Sequence, residues 1–173
     1  MSVRCILTTI AVLCTSAAQA TNPACLFVPK LPPGVADEGA ARQRLSDITY
    51  RTFDKGHGAQ IEHMTRDGRL FLWYPGNAVV LPGRWTLLHM PNRQCPEHPH
   101  VTICFQYGSN TFNPVTGARG PQRECTYFTY FWRGRVEVVA GDPFGLARRK
   151  QPPFPLPREP LDLQTLIARA KKR

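Results

Sequence analysis

AQIEHMTRDGRLFLWYP, residues 59–75, points to a β architecture. Two apolar-rich runs flank Asp67-Gly68, a strong hairpin signal because glycine tolerates the positive φ that a two-residue type I′ turn needs. Residues 70–74, LFLWY, are apolar on both faces, which predicts a strand in the middle of a sheet.

Strand signals continue on either side of this hairpin. Pro75-Gly76-Asn77 turns the chain into AVVLPGRWTLLHM, residues 78–90, which Pro82-Gly83 is expected to interrupt with a bulge or kink. VTICFQY, residues 101–107, alternates, with Val101, Ile103, Phe105 and Tyr107 on one face. ECTYFTYFW, residues 124–132, reads as a further strand that Arg133-Gly134 turns into RVEVVA. Upstream, NPACLFVPKLPPG (22–34) reads as extended. VADEGAARQRL (35–45) reads as a short helix with Asp37 and Glu38 in its first turn. The expected fold is mainly β: a small antiparallel barrel or sandwich with a short N-terminal helix and a C-terminal helical arm. Trp73, Trp85 and Trp132 lie in apolar runs and are expected in the core, as are Met64 and Met90.

The compartment is read from the N-terminus. MSVRCILTTIAVLCTSAAQA, residues 1–20, has one positive charge, an apolar run and a small-x-small end, the layout of a secretory signal peptide. The expected location is therefore periplasmic or secreted. Cys25, Cys95, Cys104 and Cys125 follow this segment, and an even count in an exported chain reads as a disulfide framework with three pairings open. Cys95–Cys104 and Cys25–Cys125 are the expected bridges. That reading takes the thiolates of CPEHPHVTIC (95–104) away from zinc.

Charge is unevenly distributed. The whole chain carries +10, and residues 21–173 carry +9 because Arg4 leaves with the signal. Residues 148–173 hold eight Lys or Arg against Glu159 and Asp162, whereas residues 21–147 are nearly balanced. The organisation expected is a signal peptide (1–20), a disulfide-tied β-rich domain (21–147), a Pro-rich spacer (148–160) and a basic amphipathic helix (161–173). Arg148, Arg149, Lys150, Arg169, Lys171, Lys172 and Arg173 would draw the protein to an envelope protein, an anionic polymer or a membrane surface. Leu163, Leu166, Ile167 and Ala170 fall at helical spacing, and docking on the chain's own body is the expected use of that stripe.

Three sets of residues carry candidate chemistry. The loop 107–122 is long for a hairpin connection and offers Tyr107, Asn110, Phe112, Asn113 and Arg119 for recognition of a glycan or peptide. His57, Glu62 and His63 supply an acid and a base for a small secreted phosphodiester hydrolase of ribonuclease type. His98 and His100 would share one side of an extended segment and suit copper, nickel or zinc. The chain shows no G-x-S-x-G elbow, phosphate-cradling loop or haem attachment pair, so no cofactor is expected. The leading expectation is a non-catalytic exported binding protein, with the hydrolase and a periplasmic metal-binding protein as alternatives.

Overall fold

A computed structural model of the 173-residue chain describes residues 25, 30–90, 95 and 100–172. The signal-like segment and His98 lie outside these residues. Seven antiparallel strands form one curled sheet, a half-barrel: β1 Ile48–Asp54, β2 Gly58–Met64, β3 Arg69–Trp73, β4 Leu81–Met90, β5 His100–Tyr107, β6 Arg123–Tyr127 and β7 Arg135–Ala140. Their order is β6-β5-β4-β3-β2-β1-β7. LFLWY supplies the central strand, as its two-sided apolar pattern requires.

The β2–β3 connection differs from the expected two-residue turn. Gly68 N donates to Thr65 O at 3.1 Å, so residues 65–68 form a four-residue turn. Gly68 has φ +83°, while Asp67 is not among the positive-φ residues. The type I′ conformation needs positive φ at both central positions, and Asp67 instead uses its carboxylate to accept from Thr65 and from Arg69 Nε.

β4 runs unbroken through Pro82-Gly83, contrary to the expected kink. Its ladder with β5 begins only at Gly83, so Pro82 sits at the strand start, where a missing N–H costs little. The second correction concerns residues 128–134, which form helix α2 (Phe128–Gly134) rather than a strand. β6 and β7 are opposite edges of the sheet, so the chain must cross from one to the other, and a strand paired to β6 cannot do that. Phe128 and Thr129 are buried, and Thr129 Oγ1 donates to Lys30 O. Tertiary placement overrides the aromatic β-propensity of the segment.

The sheet has two faces with different covers. On one, α1 (Glu38–Leu45), N-capped by Asp37, packs with α2 over Tyr50, Met64, Leu70, Trp85, Leu87, Val101 and Ile103. On the other, Ile61, Trp73 and Val80 pack beneath the C-terminal segment through Phe144, Leu146, Phe154, Leu156, Leu163 and Leu166. Trp73 meets Phe144 and Phe154 edge-on, with ring centroids 5.3 and 4.9 Å apart. Residues of the expected Pro-rich spacer pack against the sheet as a strap. Phe154 and Leu156 alternate with prolines so that both side chains point at the sheet, and Val80 N and Ala59 N donate to Lys150 O and Arg158 O. Helix α3 (Leu163–Lys171), N-capped by Asp162, buries Leu163 and Leu166. Its stripe docks on the body as expected. No described helix is long and apolar enough to cross a membrane.

The disulfides are Cys25–Cys95 and Cys104–Cys125, not the expected pairs. β5 runs straight from His100 through Cys104, about 13 Å of strand at 3.3 Å per residue, which carries Cys104 away from Cys95. Cys104 instead faces its register partner Cys125 on β6, with Cα atoms 4.0 Å apart. Cys95 and Cys25 are both buried. By loop length, the bridges stabilise by about 3 kcal/mol for Cys104–Cys125 and about 4 kcal/mol for Cys25–Cys95. Two disulfides fit an oxidising extracellular compartment. Trp73 and Trp85 are core residues and Trp132 is half-buried. Met64 is buried, but Met90 is half exposed, because β4 extends past the core at that end.

Candidate functional site

Strand periodicity places Glu62 on the helix-covered face, between Gln60 and Met64, in register with Tyr50 on β1 and Leu72 on β3. It is only 7 % exposed. The Tyr50 hydroxyl donates to Glu62 Oε2, and the Tyr107 hydroxyl, from β5, bonds to the same carboxylate. Burial pushes the Glu62 carboxyl up to about 7, and the two tyrosine hydrogen bonds pull it only partly back. Among the described residues no cation pairs with it. Both tyrosines are driven well above the usual phenol value, first by burial and then by the neighbouring carboxylate.

Tyr107 reaches Glu62 because of Gly83. The two are register partners, and a Cβ on Gly83 would stand 2.9 Å from the Tyr107 ring and 2.8 Å from Gln106 O. The absent side chain lets the ring lie across β4 toward β2.

Above this carboxylate lies a cavity of about 310 Å³. Glu62, Gln60, Leu72, Leu81, Phe105 and Tyr107 line it from the sheet. His57 and Tyr74 stand at one side, and Phe112, Asn113, Gln122 and Glu124 at the other. His57 Nδ1 and the Tyr74 hydroxyl are hydrogen-bonded at 3.0 Å. The 108–122 loop forms the roof. Asn113 Oδ1 accepts from Val115 N and Thr116 N, while its Nδ2 donates to Glu124 at 3.2 Å, tying the roof to β6. The roof's return is tight, since a Cβ on Gly120 would lie 1.9 Å from Gly108 O.

Residues from two separate expectations thus meet in one place. Tyr107, Phe112 and Asn113, expected to bind, and His57 and Glu62, expected to catalyse, line the same cavity. Asn110 and Arg119 do not line it. Arg119 lies 5.2 Å from the Phe112 ring centroid and supports the roof from outside.

His63 points to the opposite face. Its Nδ1 is 3.1 Å from Ile48 O and 3.2 Å from Thr49 Oγ1. Thr49 already donates its hydroxyl to Gly141 O, so the network assigns the proton to His63 Nδ1, a structural donor. His63 therefore cannot join Glu62 as an acid–base partner. His100 stands beside Tyr127, with ring centroids 5.1 Å apart, and the pairing with His98 lies outside the described residues. Among the described residues no three His, Cys, Asp or Glu side chains converge as metal ligands.

The sequence reading missed Tyr50, Tyr74, Glu124 and Gly83. Glu124 carried a usable signal, because it lies one residue before a cysteine on a strand and so faces away from the disulfide. The tyrosine hydroxyls carried none, since their partner sits on another strand.

On the opposite face, Arg51 is buried and donates to Glu137 Oε1 at 2.8 Å, and Glu137 Oε2 accepts the Leu163 N–H at the start of α3. One carboxylate thereby clasps β1, β7 and the C-terminal helix. Arg148, Arg149, Lys150, Lys171 and Lys172 are exposed on this side, and Arg169 lies 4.4 Å from the Phe154 ring centroid. Arg173 is outside the described residues. The chain matches no protein-family model, and no curated protein or solved structure matches it significantly.

Proposed function

We propose that this is a non-catalytic, exported binding protein whose cavity over Glu62 receives one small polar ligand. The observation that supports this most is the buried carboxylate itself. Leaving a carboxyl desolvated with no counter-charge destabilises a fold, and such groups concentrate where a ligand or reaction uses them. The cavity also joins aromatic faces to a few convergent polar groups and is about 310 Å³, near the lower end for small-molecule sites. Export rests on the signal-like N-terminus and is supported by the two disulfides.

The basic surface around Arg148–Lys150 and α3 lies on the opposite side of the sheet. In the proposed reading it holds the protein at an anionic envelope polymer or an acidic envelope protein while the cavity stays free. The test is retention on heparin after Arg148, Arg149, Lys150, Lys171 and Lys172 are changed to Gln together. Unchanged retention would remove the tethering role.

The cavity is tested by thermal unfolding against a panel of small polar compounds, because a ligand that binds only the folded state raises Tm. A shift that Phe112→Ala and Asn113→Ala abolish supports the reading, and a panel with no shift rejects it. A phosphodiester hydrolase is the second reading, favoured by His57 and Glu62 sharing the cavity. However, no Lys or Arg is among the described residues lining it, so the charge developing on phosphorus lacks a stabiliser. Hydrolysis of bis(p-nitrophenyl) phosphate that Glu62→Ala abolishes would establish that second reading instead.

A further inference from the structure

We infer that the occupant of this cavity is a small organic cation, a primary or quaternary ammonium group seated against Glu62 and the surrounding aromatic rings. The inference rests on the binding reading above and specifies its ligand class. Glu62 can accept about four hydrogen bonds, and the two tyrosine hydroxyls use half of that capacity. The group has no Lys, Arg or His ion-pair partner among the described residues. An ammonium group entering the cavity supplies the missing counter-charge, and a primary one also donates its N–H groups to the open acceptor positions. Tyr74, Phe105, Tyr107 and Phe112 line the space, and a cation over an aromatic ring face gains about 0.5–1 kcal/mol when exposed and about 2 kcal/mol when desolvated. Glu124 on β6 adds a second carboxylate to the lining.

The competing ligand classes fit less well. Among the described residues an anion meets two lining carboxylates and no lining Lys or Arg. A neutral polyol can donate its hydroxyls to the Glu62 carboxylate but leaves the charge uncompensated.

Binding of a cation is coupled to protons. Because the Glu62 carboxyl is held near 7, the ligand must displace a proton below that pH. The other groups facing Glu62 are Tyr50 on β1 and Tyr107 on β5, both kept protonated by burial. His57 and Glu124 line the same cavity. Arg135 from β7 acts on Tyr50, and Arg158 acts on Tyr74 from behind the β1–β2 turn, where it donates to Gly56 O. Affinity for a cation is therefore expected to be about 100-fold weaker at pH 5 than at pH 8, with close to one proton released per ligand at pH 6.

The test is calorimetric titration of the disulfide-bonded protein, residues 21–173, with choline, putrescine, glucose and glucose 6-phosphate. Each is measured at pH 5, 6, 7 and 8 in two buffers of different ionisation enthalpy. Choline or putrescine binding with the proton release above, weakened at least tenfold at pH 8 by Glu62→Gln, supports the inference. Phe112→Ala changes an exposed side chain and should weaken cation binding without altering the fold, which guards against a Glu62 variant that fails to fold. Glucose or its phosphate binding where the cations do not would overturn the inference and leave the binding reading standing. No heat with any of the four overturns it as well, and whether another compound then shifts Tm in the panel above decides the binding reading separately. A pH dependence removed by His57→Gln and kept in Glu62→Gln also overturns it, because the proton would then come from the wrong group.

Discussion

The two faces of the one sheet are closed by opposite means. The tail face is sealed by apolar contacts, with Trp73, Phe144, Phe154, Leu163 and Leu166 fully or almost fully buried. Its buried charge, Arg51, is paired with Glu137. The cavity face is covered by α1 and α2 over one part and by the 108–122 loop over another, beneath which Glu62 sits with no counter-charge among the described residues. The tail face is built for stability, and the cavity part of the other face carries a group that works against it. The comparison separates residues that make the fold from residues that use it.

The largest effect that would test this contrast is removal of the strap and α3. A chain ending at Lys150 loses Phe154, Leu156, Leu163 and Leu166 and exposes Ile61 and Trp73. At about 2–5 kcal/mol for each large buried side chain, the loss is on the order of 10 kcal/mol, comparable with the whole stability of a domain. Near-ultraviolet circular dichroism should show no cooperative melt. An unchanged melt would mean the tail face is not core.

Next in size is Glu137→Ala. It leaves Arg51 buried without its partner and the first N–H of α3 without its acceptor. The expected cost is about 3 kcal/mol, discounted because Glu137 is about one-third exposed, and urea unfolding measures it. A change under about 0.5 kcal/mol would show that the clasp is ornamental.

On the cavity face the sign reverses. The folded state holds the Glu62 proton up to about pH 7, whereas the unfolded chain releases it near 4.5. Between those values the folded state binds more protons, so this group's contribution makes stability fall as pH rises, by about 3 kcal/mol in total. Glu62→Gln should lack that slope and be more stable than the unchanged protein at pH 8. Parallel pH profiles for the two proteins would refute the buried-carboxylate account.

The smallest expected effect is Gly83→Ala, at about 2 kcal/mol for a methyl group forced against Tyr107 and Gln106 O. Its diagnostic consequence is displacement of the Tyr107 hydroxyl from Glu62, read as an upward move of the Glu62 titration by NMR. A titration left in place would separate Gly83 from the site.

Much of the tail-face logic was hidden in the sequence, while part of the cavity was legible. Tyr107, Phe112 and Asn113 stood out because a long polar loop with aromatic residues needs a reason to exist. The central place of β3 followed from LFLWY. The strict period of two also shows that Glu62 and the adjacent His63 cannot act together, a constraint the acid–base expectation overlooked. By contrast, Phe154-Pro155-Leu156 reads as spacer because prolines mask an alternating apolar pattern. The helix α2 was illegible because only the edge-to-edge crossing demands it. Four cysteines announced two bridges, but their pairing depended on which residues the β5–β6 register set opposite one another.

The bridge between Cys104 and Cys125 has a consequence beyond tying two strands. β6 is a short edge strand, held on one side only, and such strands can slide along their neighbour. Sliding by one position would turn Glu124 away from Phe105 and could bring Arg123 to the cavity in its stead. The covalent rung forbids that shift, so a sulfur–sulfur bond outside the cavity decides whether the β6 wall presents a negative or a positive charge to whatever enters.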